Sequence, residues 1–197
     1  MGDQPPVKVG VQLAPPPEEL GEWLADASAF DAAAAAALWL DPAPGPDVDP
    51  LALLAALAVI TSRSLLVAAL PEPGPAGAGA LARTLATIGR LSHGRLALVA
   101  DPAELEGLAG AGAGFAVFRP VPEAPGDLER LPSGDEQVER WVRAPAPEGR
   151  QAWRAALDAA AEQGASGLVV PAGPRLLDIL RNPNDPGGRT DLQLAQG

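Results

Sequence analysis

The chain contains no cysteine, which excludes a disulfide framework, a thiolate metal site and a cysteine nucleophile. Histidine is almost as scarce, with His93 alone. A zinc site would have to rest on carboxylates, which is not how zinc is ordinarily held, so no metal is expected. A Ser-His-Asp mechanism would have His93 as its sole choice of base. Lys8 is the only lysine, and 14 Lys plus Arg stand against 25 Asp plus Glu, a formal net charge of -11. An acidic chain without a basic stripe is not expected to bind nucleic acid or an anionic membrane surface. It also repels an anionic cofactor at long range, so any phosphate site must be local. Long apolar runs are missing too. The stretch Leu51 to Ile60 is too short to span a bilayer, and Met1 to Pro6 lacks the basic region and apolar core of a signal peptide. The expectation is a soluble cytoplasmic protein.

What is present is a patterned chain of 197 residues. That length holds one domain, residues 1–197, and lies near the lower limit for an eight-stranded β/α barrel, which typically needs roughly 250 residues. Val7 to Leu13 alternates apolar residues with Lys8, Gly10 and Gln12 and reads as a strand. Pro15-Pro16-Pro17 ends it, and Glu18-Glu19 open a helix running to about Asp31, with Leu20, Trp23, Leu24 and Ala27 at helical spacing. Leu38-Trp39-Leu40 reads as a second strand. Asp49-Pro50 is a strong helix start, Asp at the N-cap and Pro at the first helical position. The helix it opens, Pro50 to Ser62, is apolar on nearly every face and is expected to be well buried. Ser64 to Leu70 is a third strand, Ala80 to Leu91 a helix, Ser92-His93-Gly94 a turn and Arg95 to Ala100 a fourth strand. Such alternation implies a parallel sheet with right-handed crossovers, whose functional side carries the loops that follow the strands.

Beyond Asp101 the pattern weakens. Pro102 to Leu108 reads as a short helix, Phe115 to Phe118 as a strand, 120–137 as a polar linker and Val138 to Val142 as a strand. Glu148 to Gln163 is a strongly amphipathic helix closed by Gly164, Leu168 to Val170 a strand, and Pro174 to Leu180 a helix, followed by a polar tail, 182–197. Six or seven strands result. The fold class is α/β, a shortened or incomplete (β/α) TIM-type barrel. An incomplete barrel would leave open sheet edges, so a homodimer or hetero-oligomer covering them is expected.

Leu81-Ala82-Arg83-Thr84-Leu85-Ala86-Thr87-Ile88, followed by Leu91-Ser92-His93-Gly94-Arg95-Leu96, resembles the block before the fourth barrel strand in the luciferase-like monooxygenase family of flavin- and deazaflavin-dependent oxidoreductases. Ala37 to Asp41 is similar to that family's second strand, and Pro50 to Thr61 to the helix after it. The resemblance is best over residues 7–100. It implies a reduced FMN or deazaflavin at the C-terminal face of a barrel, with monooxygenase-type or hydride-transfer chemistry on a small organic substrate. The chain departs from the pattern after Leu98, where Val99-Ala100-Asp101 replace glycines that lie beside the cofactor in the family. The later cofactor-binding segments of full-length members exceed what residues 101–197 can hold. The alternative is therefore a non-catalytic barrel remnant acting as a subunit or scaffold, with or without flavin binding.

Candidate site residues follow from the strand ends. Gln12, Trp39 and Leu70 would line the cofactor pocket, Trp39 either stacked on the ring or buried as core. Asp41 and Asp101 are candidate bases if desolvated, and plain helix caps if exposed. Arg119 ends the fifth strand. Pro171-Ala172-Gly173-Pro174-Arg175 is a strand-to-helix loop where amides, helix dipole and Arg175 could take an anion, or simply start a helix. Gly107 to Gly114 has helix, glycines and strand in the wrong order for a phosphate loop and reads as a connection. His93 precedes a strand, which places it on the stability-bearing face. Flavin chemistry asks little of side chains, because the cofactor carries the hydride and oxygen steps.

Overall fold

The computed structural model describes residues 6–40, 48–71, 77–105, 108, 114–132 and 137–183. Its strands are β1 (Lys8–Gln12), β2 (Ala37–Trp39), β3 (Leu65–Ala69), β4 (Leu96–Val99), β5 (Ala116–Pro120), β6 (Leu128–Arg130), β7 (Glu139–Arg143) and β8 (Gly167–Pro171). The helices are α1 (Leu20–Ala32), α2 (Pro50–Ile60), α3 (Ala78–Leu91), α4 (Pro102–Leu105), α5 (Arg150–Glu162) and α6 (Pro174–Arg181). All eight strands close into one barrel in sequence order.

Three expectations change. The segment read as a linker contains β6, which pairs antiparallel with both β5 and β7, so an antiparallel meander replaces the usual helical crossovers there. With α4 reduced to four residues, this shows how a closed barrel fits in fewer residues than the roughly 250 that are typical. The sheet also has no open edge, because β1 pairs with β8 from Lys8↔Gly167 to Gln12↔Pro171. The apolar helix α2 buries Leu53, Leu54, Leu57 and Ala58 but leaves Val59 68% exposed at its C-terminal end, so its burial is one-sided. As expected, Asp49 caps it, accepting from the Leu51 amide at 2.8 Å.

Strand alternation divides the core in two. Outward residues such as Val11, Leu38, Leu66, Leu98 and Val170 pack against the helices. The lumen holds a second cluster of Ala37, Trp39, Val67, Ala97, Phe118, Leu128, Trp141 and Val169. Three rings dominate it. Trp39 and Phe118 meet edge-on with centroids 4.7 Å apart, and Trp141 lies 5.8 Å from Phe118 and 5.9 Å from Trp39. Edge-to-face contacts of this kind suit the ring quadrupoles. Glycine makes the room: a Cβ on Gly167 would lie 2.3 Å from the Trp141 ring, and one on Gly10 would lie 2.6 Å from Trp39 Nε1.

At the N-terminal face, the turn between α2 and β3 is held from both sides. The Asp31 carboxylate, at the end of α1, accepts the amides of Ser62, Arg63 and Ser64 at 2.9, 3.0 and 2.7 Å. The Arg95 guanidinium donates to the carbonyls of Ala58, Thr61 and Ser64 and to Thr61 Oγ1. The carbonyls that the C-terminal end of α2 leaves without partners, and the amides of the turn that follows, are thus matched by one cation and one anion. The turn before β4 places His93 at φ 54 and Gly94 at φ 80, a structural role at the N-terminal end as expected. Burial pushes the Asp31 carboxyl up, but the hydrogen bonds from Ser64, Ser62 and Arg63 outweigh it and hold it below the ordinary aspartate range.

Gly167→Ala should lose about 1–3 kcal/mol in urea denaturation, the usual cost of overpacking, with part of the loss recovered by adding Trp141→Leu. An unchanged midpoint for Gly167→Ala would contradict the ring position described. Asp31→Ala should cost about 3 kcal/mol at neutral pH, since it strands several amide donors. The folded carboxyl titrates below its unfolded value of about 3.9, so its contribution is full above that pH and drains away as pH falls through the depressed value. Urea melts at neutral and acid pH should therefore show the gap between wild type and variant narrowing on acidification.

Candidate functional site

The C-terminal ends of the parallel strands share one face with the β5–β6 turn. There the register sets Gln12 beside Trp39 and Pro171. Gln12, half-buried, accepts from Arg143 Nη1 at 2.7 Å through its Oε1. Arg143 closes β7 and shares the lumen-facing side with Glu139 and Trp141. Trp39 is 2% exposed and belongs to the lumen core, not to an open wall, and its indole Nε1 is buried without a hydrogen-bond partner.

The other expected residues lie elsewhere on this face. Leu70 packs against the outer, helix-facing core and its amide donates to Val99. Asp101 is exposed: its Oδ1 accepts from the Ala103 amide at 2.9 Å, and Glu104 reaches back to the Asp101 amide at 2.8 Å. That reciprocal pair is a capping box at the start of α4, so the second of the two readings of Asp101 describes it. Gly173 is the N-cap of α6 and lines an apolar pocket of about 190 Å³ between α1 and α6, with Leu13, Trp23, Phe30 and Leu177. Arg175 turns to the Glu148 carbonyl at 2.6 Å. Arg119 pairs with Glu129. Asp41 and most of Gly107 to Gly114 lie outside the described residues.

A cleft of about 660 Å³ opens beyond β4 and β5. Val99, Ala100, Pro120 and Pro122 form its apolar walls, and Asp101, Glu104, Arg119 and Glu123 its polar rim. Its size falls within the usual range for small-molecule sites. No group of His, Cys, Asp and Glu among the described residues could hold a metal ion.

Sequence reasoning missed the charges inside the barrel. At the N-terminal end of the lumen, Lys8 and Arg130 both pair with Glu139, which also accepts from Trp141 Nε1 at 3.2 Å. Burial raises the Glu139 carboxyl, but bonds from Lys8 and Trp141 and the Lys8 and Arg130 charges bring it below the ordinary glutamate range. The alternation Glu139-x-Trp141-x-Arg143 was the available signal, because it puts all three on one face of a strand.

The architecture is that of a shortened TIM-type barrel, and solved structures agree. Tryptophan synthase from Mycobacterium tuberculosis aligns over 89% of this chain and 90% of that one, at 16% identity and a TM-score of 0.53. Weaker likenesses include monooxygenase RslO1 from Streptomyces bottropensis, at 17% identity over 90% of this chain and 65% of that one, with a TM-score of 0.39. Another is the oxygenating constituent of 3,6-diketocamphane monooxygenase from Pseudomonas putida in complex with FMN, at 13% identity over 90% and 62%, with a TM-score of 0.41. The tryptophan synthase likeness shows the fold alone, and the two monooxygenases add no weight to it. No protein-family model matches the chain, and no curated protein matches it. No helix among the described residues is long and apolar enough to cross a membrane.

Asp101→Ala should remove a cap and cost about 1 kcal/mol of stability. Urea denaturation of the variant beside wild type checks this.

Proposed function

We propose that this protein is a luciferase-like oxidoreductase of the cytoplasm that takes FMN or a deazaflavin at the C-terminal face of its barrel and acts on a small organic substrate. The observation that carries the reading is the cleft beyond β4 and β5, on the side of the barrel where such enzymes work. The block Leu81 to Leu96 supports it, forming α3, a tight turn and β4 in the order that the family resemblance implies.

The residues present fit the ring of such a cofactor better than its phosphate. Val99, Ala100, Pro120 and Pro122 offer an apolar slot, whereas Asp101, Glu104 and Glu123 oppose a second anion. When bound, the flavin supplies the hydride or oxygen chemistry. The chain's part is then to hold the ring against the apolar wall and keep water from it. Gln12 and Arg143 are the polar groups at the adjoining lumen mouth, and Gly173 and Arg175 belong to the loop before α6.

A second reading, a barrel subunit without catalysis, is favoured by the lumen filled with Trp39, Phe118 and Trp141. Assembly as a homodimer or hetero-oligomer belongs to that reading. The closed sheet takes away open edges as its reason, and exposed Val59, Ile60 and Leu91 are what support it.

Purified protein titrated with oxidised and reduced FMN, and separately with a deazaflavin, should quench tryptophan fluorescence with a micromolar Kd for one of them. No binding of either at high micromolar concentration would overturn the oxidoreductase reading in favour of the second.

A further inference from the structure

The two ends of the lumen treat their charges differently. At the N-terminal end the cations Lys8 and Arg130 share the carboxylate of Glu139. At the C-terminal end Arg143 has no carboxylate against it among the described residues, only the neutral amide of Gln12. That one bond fixes the chemistry of the mouth. Gln12 accepts from Arg143 at its carbonyl oxygen, which leaves its amide NH₂ to donate elsewhere, and a guanidinium has donors and no acceptor. Arg143 is exposed and Gln12 half-buried, so both reach solvent. One layer below, beside Gly10, the Trp39 indole N–H is buried and also lacks an acceptor. Among the described residues, the polar side chains at the mouth between β7, β1 and β2 are thus the Arg143 guanidinium and the Gln12 amide, over a floor of aromatic rings.

A surface of donors selects a ligand that brings acceptors. A guanidinium fork beside an amide NH₂ matches the two oxygens of a carboxylate. We infer that the C-terminal mouth of the lumen binds a small molecule with a carboxylate on a planar, apolar body, the carboxylate taken by Arg143 and Gln12. The rim beyond β4 and β5, where Asp101, Glu104 and Glu123 outnumber Arg119 and that cation is engaged by Glu129, sets the orientation. It repels the carboxylate and leaves the apolar body to lie toward that cleft. This deepens the proposed function by naming a substrate class for the same face, but its test needs no flavin.

Benzoate and its neutral analogue benzamide are titrated into the full chain by calorimetry. Benzoate should bind at least tenfold more tightly than benzamide and weaken with added salt. Arg143→Met should reduce benzoate affinity at least tenfold, and so should Gln12→Glu, whose new carboxylate would occupy Arg143 from within. Arg154→Met, on the exposed surface of α5, should leave it unchanged. Circular dichroism shows that each variant is folded, and having two variants at the site covers the failure of one. Equal affinity for benzoate and benzamide would overturn the inference, as would benzoate binding indifferent to both site variants or lost equally in Arg154→Met. If FMN binds while benzoate ignores Arg143, the carboxylate site falls and the oxidoreductase reading stands. If benzoate depends on Arg143 and neither flavin nor deazaflavin binds, the reverse holds.

Discussion

The constraint on which the rest of this barrel depends is the filling of its lumen. Three rings, Trp39, Phe118 and Trp141, occupy a space bounded by eight short strands, and two of those strands give up a side chain to admit them. Gly10 and Gly167 sit where a Cβ would collide with the Trp39 and Trp141 rings respectively. Larger barrels fill the same space with layers of branched aliphatic residues. Here strands of only three to five residues cannot supply as many layers, and large rings do the work of several side chains. Close packing leaves little freedom to exchange one of them without adjusting the glycine opposite.

That packing also explains the polar ends. Once the rings fill the middle, lumen-facing charges are confined to the two rims. Glu139 gathers Lys8 and Arg130 at one rim and anchors the Trp141 indole by its N–H. At the other rim Arg143 and Gln12 face outward. On the outside of the meander, where a helix would ordinarily lie, the pairs Arg119–Glu129 and Arg140–Asp127 replace apolar contacts. Partly exposed pairs of this kind contribute little stability, but they make a surface that water can cover.

Much of the fold was legible, and the parts that were not share a cause. Asp49-Pro50 announced α2, and the alternation around Lys8, Gly10 and Gln12 announced β1, because both signals are local. Leu128-Glu129-Arg130 was not legible as a strand: three residues set among Pro122, Pro125, Gly126 and Pro132 give no period to read. Open edges were expected for the same reason, since a missed strand looks like a missing one. Asp101 could be named from its place after β4, yet whether it was a base or a cap depended on Glu104 turning back to its amide. Trp39 was read from its strand end, but its burial depends on Phe118 and Trp141, both far along the chain. Arg143 escaped notice because its meaning lies in Gln12, across the closure of the barrel.

That closure makes the protein a ring in all but its covalent path. β1 and β8 pair along their whole lengths, and α6 then runs back beside α1, so the strand that opens the chain and the helix that ends the described fold are neighbours. No strand is first or last in the finished barrel; each has two partners. The place where the polypeptide begins is then a matter of connectivity and not of architecture. The tight turn between β5 and β6, built on Val121, Ala124 and Gly126 at φ 96, is as natural a point of entry as the present one.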